Sequence, residues 1–181
     1  MKREPPPGHR EGLVSAARAT QGGAVEVWAS EIGVVAVKWT ESASPPVPAE
    51  QTPLSETERG GQRAESDLAQ LAVQQIAEYL AGERREFSVP VDWSGATSFS
   101  RLVLEECRRI PYGETLSYGE LAAAAGRPRA ARAVGQALGR NPVPLLVPCH
   151  RVRTGDGGLG GFGLGLEAKR RLLALEGREF S

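Results

Sequence analysis

Between Ala24 and Trp39 apolar and polar positions alternate. Val25, Val27 and Ala29 stand against Glu26, Trp28 and Ser30; Glu31 to Gly33 interrupt; Val35, Val37 and Trp39 then share one face. A period of two residues belongs to a half-buried strand, so this stretch predicts a β-hairpin. Residues 1 to 20 are polar and include Pro5, Pro6 and Pro7. They carry too little apolar surface to offset the entropy of ordering and predict a flexible tail. Thr40 to Asp67 holds Pro45, Pro46, Pro48 and Pro53 without either period, and predicts a mobile linker. The period then becomes helical: Leu68, Leu71, Ala72, Gln75, Ile76, Tyr79 and Leu80 share one face, with Gly82 placed to end the helix. Phe87, Val89 and Val91 alternate again, and Pro90 suits an edge strand pairing with the hairpin.

Beyond Ala96 the helical period dominates. Phe99, Leu102, Val103, Glu106, Cys107 and Ile110 mark an apolar stripe, on which Cys107 reads as a small buried hydrophobe with no assigned chemistry. Ser117 and Glu120 form a capping-box pattern that starts a helix through Tyr118, Leu121, Ala122 and Ala125, ending at Gly126. After Arg127-Pro128 a second helix is predicted from about Arg129 to Leu138. Two short helices joined so tightly predict a helix-turn-helix. In the second, Ala130, Ala133, Val134, Ala137 and Leu138 turn inward, while Arg129, Arg132 and Gln136 project. Ala131 and Gly135 leave the projecting side thin. The whole chain therefore predicts an α+β protein. A small N-terminal α/β domain with a short antiparallel sheet, residues 21–92, precedes a mainly helical C-terminal domain, residues 95–181, that contains the helix-turn-helix.

Composition narrows the classes of function. Of 181 residues, 40% are hydrophobic and 24% charged, an ordinary globular mixture, and no apolar run is long enough to span a bilayer. No apolar signal segment opens the chain, which predicts a cytoplasmic protein without a membrane partner. Net charge is zero, but residues 1–94 hold 9 basic against 14 acidic side chains, and the remainder is correspondingly basic. An acidic half beside a basic one fits a protein of which one domain meets phosphate. With two cysteines, Cys107 and Cys149, and two histidines, His9 and His150, neither a disulfide scaffold nor an all-protein zinc site is expected.

The densest chemistry lies in Asn141-Pro142-Val143-Pro144-Leu145-Leu146-Val147-Pro148-Cys149-His150-Arg151. A buried, strand-like Leu145 to Val147 ends at Pro148, which predicts a Cys149 thiol facing a pocket from a firmly held backbone. A nucleophilic thiol needs a base or a positive neighbour, and His150 is the histidine beside it. Adjacent side chains diverge, so His150 would act through a turn or a bridging water and needs a third group to orient it. The last helix, Leu166 to Glu176, supplies a candidate. Glu176 lies within reach of Leu172 and Leu173 on the apolar side, away from Lys169 and Arg170, although a solvated place in the last turn before Gly177 fits the pattern too.

Pro148-Cys149-His150-Arg151, with Asn141-Pro142-Val143-Pro144 and Ile110-Pro111-Tyr112-Gly113-Glu114-Thr115-Leu116-Ser117-Tyr118, resembles the O6-alkylguanine-DNA alkyltransferases. The likeness is strong from Ser98 to Gly177 and weak in the N-terminal domain. It implies a DNA-repair protein that takes an alkyl group from O6 of guanine, or O4 of thymine, in duplex DNA onto its own cysteine, irreversibly and after base flipping. No metal or organic cofactor is required. By the resemblance Cys149 is the acceptor, His150 the base acting through water, Glu176 its orienting partner and Asn141 the brace of the cysteine turn. The second helix, through Arg129, Ala131, Arg132 and Gly135, enters the minor groove; Arg132 fills the gap left by the extruded base and Tyr118 pushes on a phosphate. Tyr118, Val152, Phe162 and Gly163 line the base pocket. The protein is expected to act as a monomer. Phe162 and Gly163 depart from the tyrosine usual and the serine common at these positions, and a phenyl ring cannot donate a hydrogen bond to guanine. Two other readings compete. An alkylated-DNA sensor would bind the lesion without repair, but such proteins lack the acceptor cysteine. A cysteine hydrolase using Cys149, His150 and Glu176 would have no use for the basic helix.

Overall fold

A computed structural model describes residues 13–20, 23–41 and 63–178. The chain forms two compact units that meet in sequence at Gly95 and Ala96. The first is a three-stranded antiparallel sheet with one long helix. Strands β1 (Val14–Thr20), β2 (Gly23–Ala29) and β3 (Val34–Glu41) lie in the order β1-β2-β3, with helix α1 (Arg63–Leu80) packed on β1 and β2. Val25 pairs with Trp39 and Val27 with Val37, so the alternation read from the sequence fills one buried face. Trp28, assigned to the other face, is buried as well. On α1, Ala69, Ala72, Val73, Ile76, Tyr79 and Leu80 are buried, and Gly82, at a φ of 79°, closes the helix. Leu71 falls off this face and is exposed.

Three expectations for this unit need correction. Val14–Thr20 is strand β1, not tail; all seven residues pair with β2, and this ladder supplies what small residues such as Ala16, Ala17 and Ala19 could not signal locally. The linker expected over 40–67 loses both ends, because β3 runs to Glu41 and α1 begins at Arg63; residues 42–62 and 1–12, His9 among them, lie outside the described residues. Phe87 to Val91 is not a strand. Val91 makes a single parallel bridge with Val34: Val34 N–H donates to Pro90 O and Asp92 N–H to Val34 O, both at 2.9 Å. A proline with no N–H of its own limits the ladder to this bridge.

The second unit is helical, as expected. Helix α2 (Ser98–Arg108) starts at Thr97, whose hydroxyl accepts from Ser100 N–H at 3.2 Å, and buries Val103, Leu104 and Cys107. Strand β4 (Leu116–Ser117) leads into α3 (Tyr118–Ala124), α4 (Ala131–Gly139) follows a tight turn, and α5 (Leu166–Leu175) closes the unit. The capping box is present in full: Glu120 N–H donates to Ser117 Oγ at 3.1 Å and Ser117 N–H to Glu120 Oε2 at 2.6 Å. Gly126, at a φ of 68°, ends α3 with its N–H on Ala123 O and the Arg127 N–H on Ala122 O, a Schellman closure that turns the chain toward α4. These helices form the helix-turn-helix. Arg129 lies in the turn, since α4 starts two residues later, and Ala133 is exposed while Val134, Ala137 and Leu138 are buried.

Candidate active site

The site is built where a loop, a short turn and the end of α5 meet. Leu145 to Val147 is not strand-like: Val147 N–H donates to Val143 O at 3.0 Å, and Leu145 takes a φ of 75°, which a residue with a side chain rarely adopts. This folded-back loop leads into a 3-10 turn, Cys149–Arg151, and then into β5 (Val152–Arg153), which pairs in parallel with β4. Asn141 braces the loop from one side chain. Its Nδ2 donates to Val147 O at 3.1 Å and lies 3.2 Å from Cys149 Sγ, and its Oδ1 accepts from Val143 N–H at 3.1 Å. Cys149 is held at its sulfur by Asn141 and at its backbone by its own N–H, which donates to Val147 O at 2.8 Å.

His150 and Glu176 meet as the resemblance implies. Nε2 of the buried imidazole lies 3.0 Å from Glu176 Oε1. A carboxylate there accepts from Nε2–H and assigns the lone pair to Nδ1. Glu176 is the capping residue of α5 and is buried, so the inward reading of its pattern holds over the solvated one. Burial pushes the His150 pKa below its usual 6.5, against the upward pull of Glu176. Burial likewise raises the Cys149 thiol above its ordinary range, opposed by the Asn141 hydrogen bond and the charge of Lys169. Cys149 at rest is therefore a thiol beside a neutral imidazole.

Two further groups were not foreseen. Arg151 is buried and grips Glu176: Nε lies 3.1 and 3.0 Å from the two carboxylate oxygens and Nη2 2.7 Å from Oε1. Its Nη1 donates to Ile110 O at 2.6 Å. Lys169, read from the sequence as facing away from the site, is fully buried, with Nζ 2.5 Å from both Val152 O and Leu159 O. Desolvation lowers its pKa to about 8. Nothing in the local pattern distinguishes these cations from surface ones; the partners named here lie 10 to 41 residues away along the chain. The Pro111 to Gly113 turn also serves the site, with Gly113 N–H donating to Glu176 Oε2 at 3.1 Å and Tyr112 Oη to Leu175 O at 2.8 Å.

Phe162 sets its ring edge-on to His150 at 6.2 Å, and the Tyr118 hydroxyl lies 3.4 Å from Gly161 O. Tyr118 occupies a slot between glycines: a Cβ at Gly160 would come within 2.9 Å of its ring and one at Gly135 within 3.6 Å. Val152 is wholly buried in β5, and Gly163 is exposed on the loop after Phe162. Arg129 and Arg132 are exposed along the helix-turn-helix and Ala131 is half-buried at the start of α4, apart from the buried cluster. No cluster of three metal-ligating side chains occurs among the described residues.

A helix-turn-helix unit that carries one held cysteine, backed by a histidine–carboxylate pair, defines a narrow class of protein. The ribonuclease-like domain of 6-O-methylguanine DNA methyltransferase matches residues 17–93, and the DNA binding domain of the same family matches residues 98–178. The methylated-DNA–protein-cysteine methyltransferase of Mycobacterium leprae is 48% identical over 121 residues, 67% of this chain and 73% of that protein. That of Mycolicibacterium paratuberculosis is 52% identical over 107 residues, but the aligned stretch spans only 64% of its length. Among solved structures, Mycobacterium tuberculosis OGT in complex with DNA aligns with a TM-score of 0.69 at 37% identity, over 88% of this chain and 91% of that one. The chain belongs to the 6-O-methylguanine DNA methyltransferase family.

Proposed function

We propose that the protein repairs duplex DNA by moving the alkyl group of O6-alkylguanine, or of O4-alkylthymine, to Cys149, working as a monomer in the cytoplasm on chromosomal DNA. The observation that carries this reading is the sulfur itself, set 3.2 Å from Asn141 Nδ2 in a buried turn whose next residue is paired with Glu176. Displacement at an sp³ carbon needs a thiolate, and burial holds Cys149 as a thiol. A neutral His150, oriented by Glu176, takes the thiol proton through a water as the S–C bond forms. The C–O6 bond breaks, its electron pair stays on guanine, and a proton returns to the departing base, which leaves a thioether and unmodified guanine. No cofactor takes part. A thioether has no leaving group for return, so each molecule reacts once.

O6 is not open to in-line attack inside a stacked duplex, so the lesion must turn out of the helix, at a cost of a few kcal/mol that is smaller for a damaged pair. The exposed Arg129 and Arg132 and the half-buried Ala131 and Gly135 on the helix-turn-helix are assigned to the minor groove, Arg132 to the vacated stack, and Tyr118 to the phosphate beside it. Tyr118, Val152, Phe162 and Gly163 are assigned to the flipped base.

Intact-protein and peptide mass analysis after incubation with a duplex containing O6-methylguanine tests the reading. One methyl on Cys149, with an equal amount of guanine restored and none gained by Cys149→Ala, is the expected result. DNA binding without a mass change would make the protein a lesion sensor, and neither binding nor modification would overturn the reading altogether.

A further inference from the structure

The carboxylate that orients His150 is shared. Glu176 accepts from His150 Nε2, from Gly113 N–H and from both Nε and Nη2 of Arg151, and Arg151 is itself fixed by Ile110 O and by the Tyr112 ring, 5.8 Å beneath its guanidinium. A guanidinium so placed does two things to the pair. It keeps Glu176 ionised without help from the imidazole, and it sets a fixed positive charge one residue from His150. The geometry points to Arg151 as a positioning residue that acts through Glu176 to hold His150 as a neutral, proton-accepting imidazole. This rests on the alkyl-transfer reading, in which His150 must be free of its proton to take that of Cys149.

A histidine–carboxylate pair without a third partner favours the imidazolium, because the ion pair stabilises the charged ring. Four ionisable groups face His150: Glu176 at the end of α5, Arg151 in its own turn, Lys169 from within α5 and Cys149 beside it in sequence. Burial, Arg151 and Lys169 disfavour the imidazolium; Glu176 alone favours it. Lys169 is directed to the carbonyls of Val152 and Leu159, so Arg151 is the cation that holds the carboxylate directly. Without that charge, the His150–Glu176 pair takes up a proton at higher pH, and transfer fails in mild acid where the wild-type chain still reacts.

The chain has two histidines, so the His150 ring resonance is identified by comparison with a His9→Gln variant. Its titration is followed by NMR beside the single-turnover rate of methyl transfer, in the wild-type chain, Arg151→Gln and Arg151→Lys. In Arg151→Gln, which keeps donors but loses charge, the titration and the acid limb of the rate both rise by about one pH unit, so transfer relative to its pH 8 plateau drops by about tenfold at pH values below the wild-type midpoint and by less above it. Arg151→Lys, which keeps charge but loses the fork, stays close to wild type in both. Equal shifts in the two variants, or no shift in either, overturn the proposal and leave Arg151 with a packing role. Should Arg151→Gln not fold, Arg151→Lys decides alone, and a titration displaced upward there overturns it. Absence of methyl transfer by the wild-type chain would instead defeat the underlying reading, while the NMR titration still reports on the charge.

Discussion

The two units solve the problem of an interior in different ways. Among the described residues of the first, the buried side chains are apolar apart from Gln75, whose amide exchanges hydrogen bonds with Ser88 at 2.7 and 3.0 Å. An ion pair of this unit, Arg84 with Glu78 at 2.6 Å, stays partly in solvent. The second unit buries His150, Arg151, Lys169 and Glu176 between one turn and one helix. Taking charges out of water is expensive, and partners and hydrogen bonds rarely do better than offset the cost. The first unit's interior thus serves folding, while the second carries charges whose burial folding alone does not call for. On the proposed reading, the charged groups gather around the cysteine, where a neutral imidazole and dry surroundings serve alkyl transfer.

The sharpest way to break this contrast is to remove one member of the charged cluster. Glu176→Ala leaves Arg151 buried without its carboxylate and should destabilise the second unit by about 3–5 kcal/mol. All three tryptophans, Trp28, Trp39 and Trp93, lie in the first unit, so urea unfolding followed by their emission and by helical ellipticity reads the units apart. Loss at lower urea of the part of the ellipticity that α2 to α5 supply, with the part from α1 following the unmoved emission transition, is expected. A common shift of both signals would show the units unfolding together and dissolve the comparison.

The next effect is on pH dependence. Lys169 gives up its proton near pH 8 when folded and near 10.5 when unfolded, so between those values the unfolded chain holds the extra proton. Its contribution to stability therefore grows as pH rises, by up to about 1.4 kcal/mol per pH unit. Cys107 and Cys149 act in the opposite sense: burial raises their pKa values above 9.0, and above that pH the unfolded chain is the one that loses protons. The difference in slope between the wild-type chain and Lys169→Met isolates the lysine, and identical slopes would show that it stays protonated in place.

The smallest expected effect is in the first unit. Arg84→Ala removes a half-solvated ion pair and should cost less than about 1 kcal/mol, falling toward zero in high salt. A larger, salt-resistant loss in the emission transition would mean that this unit also depends on a desolvated charge pair.

What could be read in advance follows the range of the interactions. The Ser117–Glu120 capping box, the Gly126 closure and the alternation of Val25, Val27, Val37 and Trp39 are written within a few residues or along one strand pair, and each appears in the fold where the sequence puts it. For Glu176 the pattern left two readings open, an inward carboxylate seeking a donor and a solvated residue in the last turn, and its pairing with His150 came from the resemblance; burial in the fold decides for the inward one. Strand β1 was not legible: its small residues carry no period of their own, and pairing with β2 makes them a strand. Nor was the turn at Leu145, whose positive φ is imposed by Asn141 and Val143 holding the loop from either side. A lysine or arginine on a helix or beside a histidine looks like a solvated charge, because most are. Whether Lys169 and Arg151 face water or three carbonyls and a carboxylate depends on which distant segments close over them, and only the tertiary structure decided that.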